Sequence, residues 1–208
     1  MKFSFFLLSL LLTFSCSIAN TNTLPVFNEQ KVIETTETPA NLKVAFLGDS
    51  HDGINFDSVL KLIKKEKAEV TVHMGDLSYS ILPQGPKKWN DLISKILGPK
   101  YPYLVTIGNH DKIHWHEASW GYITLFKERI KDIKDLKCQV QSQDSDFGVK
   151  SFCEYKGLLF LLSGVGTRGS NHEDFIEKVL SKHKQKSWKI CAWHKNQRTM
   201  QVGNKPNE

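Results

Sequence analysis

An α/β fold built on mixed β-sheet is predicted by three features of the sequence. Short apolar runs recur along the chain, and several are closed by a compact polar segment. Between the first of these runs, apolar residues repeat at i, i+3, i+4 and i+7, the pattern of a helix with one buried face. Further along, strands succeed one another, so a sheet that starts from strand–helix alternation gains other pairings.

The elements follow in order. Val44–Leu47 is the first strand. A helix comes next, with Phe56, Val59, Leu60 and Ile63 as its inward face. Val70–Met74 is the second strand. Pro86 opens a second helix, which turns Trp89, Leu92, Ile93 and Ile96 inward and ends at Gly98-Pro99. Tyr103–Ile107 is a strand, and 120–130 reads as a helix although Gly121 falls inside it. Lys137–Gln141 and Gly148–Tyr155 form a hairpin around Gln143-Asp144-Ser145-Asp146. Leu158–Leu162 is a further strand. Ser170 and Glu173 have capping-box spacing before a helix that buries Phe175, Ile176, Val179 and Leu180. Residues 188–193 form the last strand. There is no internal repeat.

The first 40 residues stand apart. Lys2, the apolar stretch from Phe3 to Phe14 and the small residues ending at Ala19 read as a secretory signal peptide over 1–19. The stretch is shorter than the roughly 20 apolar residues of a spanning helix, so no stable membrane span is expected. Residues 20–40 are threonine-rich and polar, a tether or edge segment without its own core. Residues 41–208 form the one domain, long enough for a well-cored unit. The expected location is therefore secreted or extracytoplasmic.

The chain carries a net charge of +6. Lys61, Lys64, Lys65 and Lys67 lie beside the apolar stripe of one helix, which is a solvated face. No basic strip is interleaved with aromatics, so nucleic acid is not an expected partner. In an oxidising compartment the cysteines are worth pairing. A hairpin that sets Ser142 opposite Val149 also sets Cys138 opposite Cys153, within disulfide reach. Cys191 is expected as a buried free thiol.

Four polar segments follow strands: Gly48-Asp49-Ser50-His51, Gly75-Asp76-Leu77-Ser78-Tyr79, Gly108-Asn109-His110-Asp111 and Trp193-His194. In open α/β sheets, ligands bind outside the carboxyl ends of strands. Asp, Asn and His gathered there suit a divalent or trivalent metal. Taken singly, each segment is only a turn or a polar loop. His73 reads as a satisfied core histidine, His172 and His183 as first-turn and last-turn helix residues, and His114 and His116 as loop histidines beside Trp115.

In order and content these segments resemble the calcineurin-like metallophosphoesterases, the superfamily that includes the purple acid phosphatases. The resemblance spans 41–208 and implies two packed β-sheets flanked by helices. It implies two metal ions, of iron, manganese or zinc, and hydrolysis of phosphomonoesters or phosphodiesters by a metal-bound hydroxide. By that resemblance Asp76 bridges the metals, Asp49 and His51 complete the first, and Asn109 and His194 hold the second. His110 acts at the leaving oxygen, with Asp111 orienting it. Tyr79 matches the tyrosine that ligates iron in purple acid phosphatases. His51 and Tyr79 then compete for one position, or Tyr79 packs nearby; His51 is the expected ligand because imidazole is the commoner one. The family's Gly-His-x-His is absent between His194 and Glu208. The expectation is a domain incomplete at its C-terminus and impaired in hydrolysis. The alternatives are an inactive remnant, or an exported binding domain on the same fold.

Overall fold

A computed structural model of the chain describes residues 24–27 and 37–195. The expected signal peptide, most of the tether and the stretch 196–208 lie outside the described residues. Seven strands and four α-helices follow in the order β1 (Val44–Leu47), α1 (Ile54–Lys65), β2 (Val70–His73), α2 (Gly85–Leu97), β3 (Tyr103–Val105), α3 (Tyr122–Ile130), β4 (Leu136–Val140), β5 (Lys150–Tyr155), β6 (Leu158–Ser163), α4 (His172–Lys182) and β7 (Lys189–Ala192). They make two sheets. The first is parallel, in the order β1-β2-β3. The second is mixed, with β4, β5 and β6 antiparallel and β7 parallel to β6.

Strand periodicity shows how the layers stack. In β2, Val70 and Val72 join the main core, while His73 on the opposite face meets the Trp89 ring of α2 at 5.5 Å. In β6, Leu158, Phe160 and Leu162 face the same main core, whereas Leu159 and Leu161 pack with Phe175 and Val179 of α4. The sheets therefore share one apolar layer, with α1–α3 outside the first sheet and α4 outside the second. Trp89 anchors the helical side, ringed by Phe56, Tyr103 and Phe126 at 5.3, 5.5 and 5.6 Å.

The cysteine hairpin forms in the predicted register. Cys138 pairs with Cys153 across β4 and β5, and the two are disulfide-bonded. Residues 24–27 lie along the free side of β4: the Phe27 N–H donates to the Val140 carbonyl and the Val140 N–H to the Pro25 carbonyl. That part of the predicted tether is thus an edge segment.

Some local expectations need correction. Val59 is more than one-third exposed, because the buried stripe of α1 follows Phe56, Leu60 and Ile63. Gly121 precedes α3 as its N-cap and does not interrupt it. Asn171, in a left-handed conformation, takes the N-cap of α4, so Ser170 and Glu173 form no capping box. Cys191 is exposed, since β7 is an edge strand whose 189 and 191 positions turn outward. His73 is fully buried but neither ring nitrogen has a partner. Burial pushes it down to about 3, so the ring is neutral.

A buried ionic group ties β5 to the segment after α4. Lys186 Nζ lies 2.6 Å from Glu154 Oε2, and His183 Nε2 lies 3.6 Å from Glu154 Oε1. Burial alone would raise the Glu154 carboxyl, but His183 and Lys186 outweigh it and hold the group below its usual value of 4.5. A depressed folded pKa gives stability that is full above the unfolded value and lost as pH falls through the folded one. Glu154→Gln leaves Lys186 buried without its counter-charge and should cost about 3–5 kcal/mol near pH 7. Thermal unfolding of both proteins from pH 7 down to pH 3 should show the gap between them closing below about pH 4.5. A gap independent of pH would mean that the loss is one of packing alone.

Candidate metal centre

Because β1, β2 and β3 are parallel, their C-terminal ends share one edge, and the loops that leave them meet there. The Asp49 N–H donates to the Gly75 carbonyl and the Ser50 N–H to the Asp76 carbonyl, both at 3.1 Å. The loops approach so closely that side chains are excluded between them. A Cβ on Gly75 would stand 2.7 Å from Gly108 Cα and 2.9 Å from His194 Cβ. One on Gly108 would collide with the backbone nitrogen and Oδ1 of Asp76. Asp49, His51, Asp76 and Tyr79 all have positive φ, from 51° to 61°. Non-glycine residues in this region carry strain, and such residues cluster at functional sites.

Asp111 holds the loops together. Its carboxylate accepts the N–H groups of Asp76 (2.9 Å), Leu77 (2.8 Å) and Gly108 (2.8 Å). Only 1% of the residue is exposed. Burial pushes its pKa up to about 6 against the pull of these donors. This corrects the expectation that Asp111 orients His110. Among the described residues its hydrogen bonds all go to backbone, and it acts as a staple between the β2 and β3 loops.

The side chains in front of this staple converge. Ligand atoms of Asp49, Asp76 and His194 all lie within 4.8 Å of one another. His194 Nδ1 is 2.9 Å from the Met74 carbonyl, which can only accept, so this nitrogen carries a proton. Nε2 is thereby turned inward, 3.0 Å from Asn109 Oδ1 and 3.4 Å from Asp76 Oδ2. Bonds of about 2.0–2.2 Å to one ion put neighbouring ligand atoms about 3.0–3.4 Å apart, so these spacings fit a shared cation. Anchoring one ring nitrogen on a carbonyl is also the usual support for a metal-binding histidine. Asp76 Oδ1 accepts the His110 N–H at 2.9 Å, which fixes the carboxylate plane.

The electrostatics follow the same geometry. Burial raises the Asp76 carboxyl, but His194 and the His110 N–H outweigh it and keep the carboxyl below its ordinary value. Burial lowers His194, but Asp76 and the Met74 carbonyl outweigh it and leave the imidazole above 6.5. Asp49 is exposed, and its Oδ1 accepts the Tyr79 hydroxyl at 2.8 Å. Burial, with Asp49 and Asp76 nearby, pushes that hydroxyl well above its usual range.

Of the residues singled out in the sequence, Asp49, Asp76, Asn109 and His194 meet. His51 does not join them. Its left-handed backbone turns the ring outward, where Nδ1 lies 3.0 Å from Asp52 Oδ1. Tyr79 takes the inward place and stands between two imidazoles, 5.7 Å from the His51 ring and 4.6 Å from that of His110. His110 is exposed on the open side. His114 is buried against Trp120, while His116 lies exposed in the following loop. Sequence reasoning missed the Met74 carbonyl and the two close-packed glycines. The repeated Gly-Asp and Gly-Asn steps were the only trace of the latter.

The calcineurin-like phosphoesterase family matches residues 42–207. The chain belongs to that family. No curated protein matches the chain. Among solved structures it is similar to the purple acid phosphatase PPD1 from yellow lupin (Lupinus luteus) seeds, at 17% identity and a TM-score of 0.48. That match covers 74% of this chain and 30% of the lupin chain. No helix among the described residues is long and apolar enough to cross a membrane.

Proposed function

We propose that this phosphoesterase is a secreted enzyme with two metal ions at the β1–β3 edge. The observation that carries the reading is the convergence of Asp49, Asp76, Asn109 and His194 Nε2, with His194 locked in one tautomer by Met74. Asp76 has one carboxylate oxygen toward His194 and stands beside Asp49, which suits it to hold both ions. Asp49 would serve one ion, and Asn109 and His194 the other. The inward hydroxyl favours Tyr79 over His51 as a further ligand beside Asp49. Bound cations would supply Lewis acidity toward the phosphoryl oxygens and an activated water. His110, on the open side and tethered through its N–H to Asp76, is placed to give a proton to the leaving oxygen. The Cys138–Cys153 bond supports an extracytoplasmic location, because disulfides persist in oxidising compartments.

A proton and a cation compete for His194 Nε2, and its raised pKa moves that competition to higher pH. Manganese affinity should therefore fall as the pH drops, by about tenfold per pH unit where His194 is protonated. Calorimetry at pH 7.5, 6.5 and 5.5 in two buffers of different ionisation enthalpy would show proton release. His194→Ala should bind weakly at every pH, with no proton released from this site. A flat affinity in the unaltered chain would remove His194 from the ligand set, and no aryl phosphate hydrolysis by the metal-loaded unaltered chain would count against the hydrolase reading.

A further inference from the structure

Among the described residues, nine large hydrophobic side chains are exposed; three of them lie in the loops after β2 and β3, and a fourth opens α1 just after the β1 loop. They are Ile54 and Ile81, each 76% exposed, Leu82 at 51% and Ile113 at 57%. Scattered exposed hydrophobics need no explanation, but four that each stand within three residues of a ring at one site call for one. The four lie close in the chain to His51, Tyr79 and His110, whose rings stand in a row. Ile54 follows His51 by three residues, Ile81 and Leu82 follow Tyr79 closely, and Ile113 follows His110 by three. At about 3.3–3.6 Å of chain per residue, each Cα is within about 11 Å of that of its ring residue.

The loop carrying Ile81 and Leu82 is braced. Ser78 Oγ is 2.6 Å from the Tyr122 hydroxyl of α3 and accepts the Ser80 N–H. Ser80 Oγ accepts the Leu82 N–H, and the Leu82 carbonyl accepts the Gly85 N–H. A Cβ at Gly85 would strike the Ser80 side chain, so α2 closes against this turn. Ile81 and Leu82 are thus presented to solvent by a pinned turn.

We propose that this rim is a subsite for the organic part of the substrate, and that the enzyme prefers phosphoesters of large apolar alcohols, aromatic or long-chain. The proposal rests on the metal-centre reading above. The cations and His110 take the phosphoryl group, and the apolar group extends over the Tyr79 and His110 rings onto Ile81, Leu82 and Ile113. Covering about 50–60 Å² of apolar surface corresponds to about a tenfold gain in affinity. This contact is the same in ground state and transition state, so it should act on KM and leave kcat alone.

The test is binding of two phosphonates to the manganese-loaded full chain, methylphosphonate and 1-naphthylphosphonate, by calorimetry. The naphthyl compound should bind about tenfold or more tightly, and the ratio should shrink toward one in Ile81→Ser and Ile113→Ser. Equal affinities in the unaltered chain would overturn the subsite and leave the metal-centre reading standing. A preference undiminished in both variants would overturn its assignment to this rim. Binding of neither compound would overturn the phosphoester reading of the centre, and the proposal with it.

Discussion

Asp111→Ala is expected to destabilise the fold by about 3–5 kcal/mol and to abolish metal binding at once. The carboxylate accepts three backbone N–H groups from two loops in a setting closed to solvent. Each buried donor left without an acceptor costs about 1–3 kcal/mol, and water entering the hole recovers part of it. The same bonds set the path of Gly75–Leu77 against Gly108, so Asp76 loses its position when they go. Asp111→Asn is the sharper variant. It keeps the shape but turns an NH₂ group toward a backbone N–H, and should cost about 2 kcal/mol. Urea unfolding gives the stability and elemental analysis the metal. If Asp111 served only to orient His110, both variants would unfold at the normal midpoint, keep their metal and lose turnover alone.

Asp76→Asn should have the largest effect of any substitution confined to the site. It removes the buried carboxylate that lies within reach of both Asp49 and His194, and leaves one neutral oxygen in its place. Weakening of metal binding by on the order of 10²-fold or more is expected, since even partners of ligands are worth 10–100-fold. The fold should survive, because the Asp111 bonds use the Asp76 backbone and not its side chain. A second reading comes from His194. With the carboxylate gone, burial becomes the main influence on that imidazole, and its pKa should fall. NMR titration of the His194 ring, with no metal added, would show this. Full retention of metal after dialysis, with His194 titrating as before, would exclude Asp76 as the shared ligand.

The elements and the convergence were legible in the sequence because both rest on periodicity. Val70 and Val72 alternate with Thr71 and His73, and that alone assigns the two faces of β2. Parallel strands then bring Asp49, Asp76 and Asn109 to one edge whatever lies between them. The Cys138–Cys153 register followed from a turn position and a repeat of two. What was not legible depends on single backbone angles. In a left-handed residue, side-chain direction follows no period, so nothing in Gly-Asp-Ser-His showed that the His51 ring turns outward while the Tyr79 hydroxyl turns in. The role of Asp111 was hidden similarly, since an acidic residue next to a histidine reads as its partner until its oxygens are seen on backbone N–H groups. At α4 the Ser170 and Glu173 spacing read as a cap, whereas the left-handed Asn171 takes that place, a backbone angle that spacing does not encode.

The conformation of Tyr79 has one more consequence. Asparagine, aspartate and histidine tolerate positive φ better than most residues, but a bulky aromatic there is an outlier worth roughly 1–2 kcal/mol against the fold. Glycine at 79 would relieve it. Random substitution, filtered only for folding, therefore has a downhill direction at this position, away from tyrosine. A domain kept merely as a soluble body would have no force holding it back. The strain thus falls on the residue whose hydroxyl donates to Asp49, at the centre proposed above to hold metal, which is where backbone strain most often has a use.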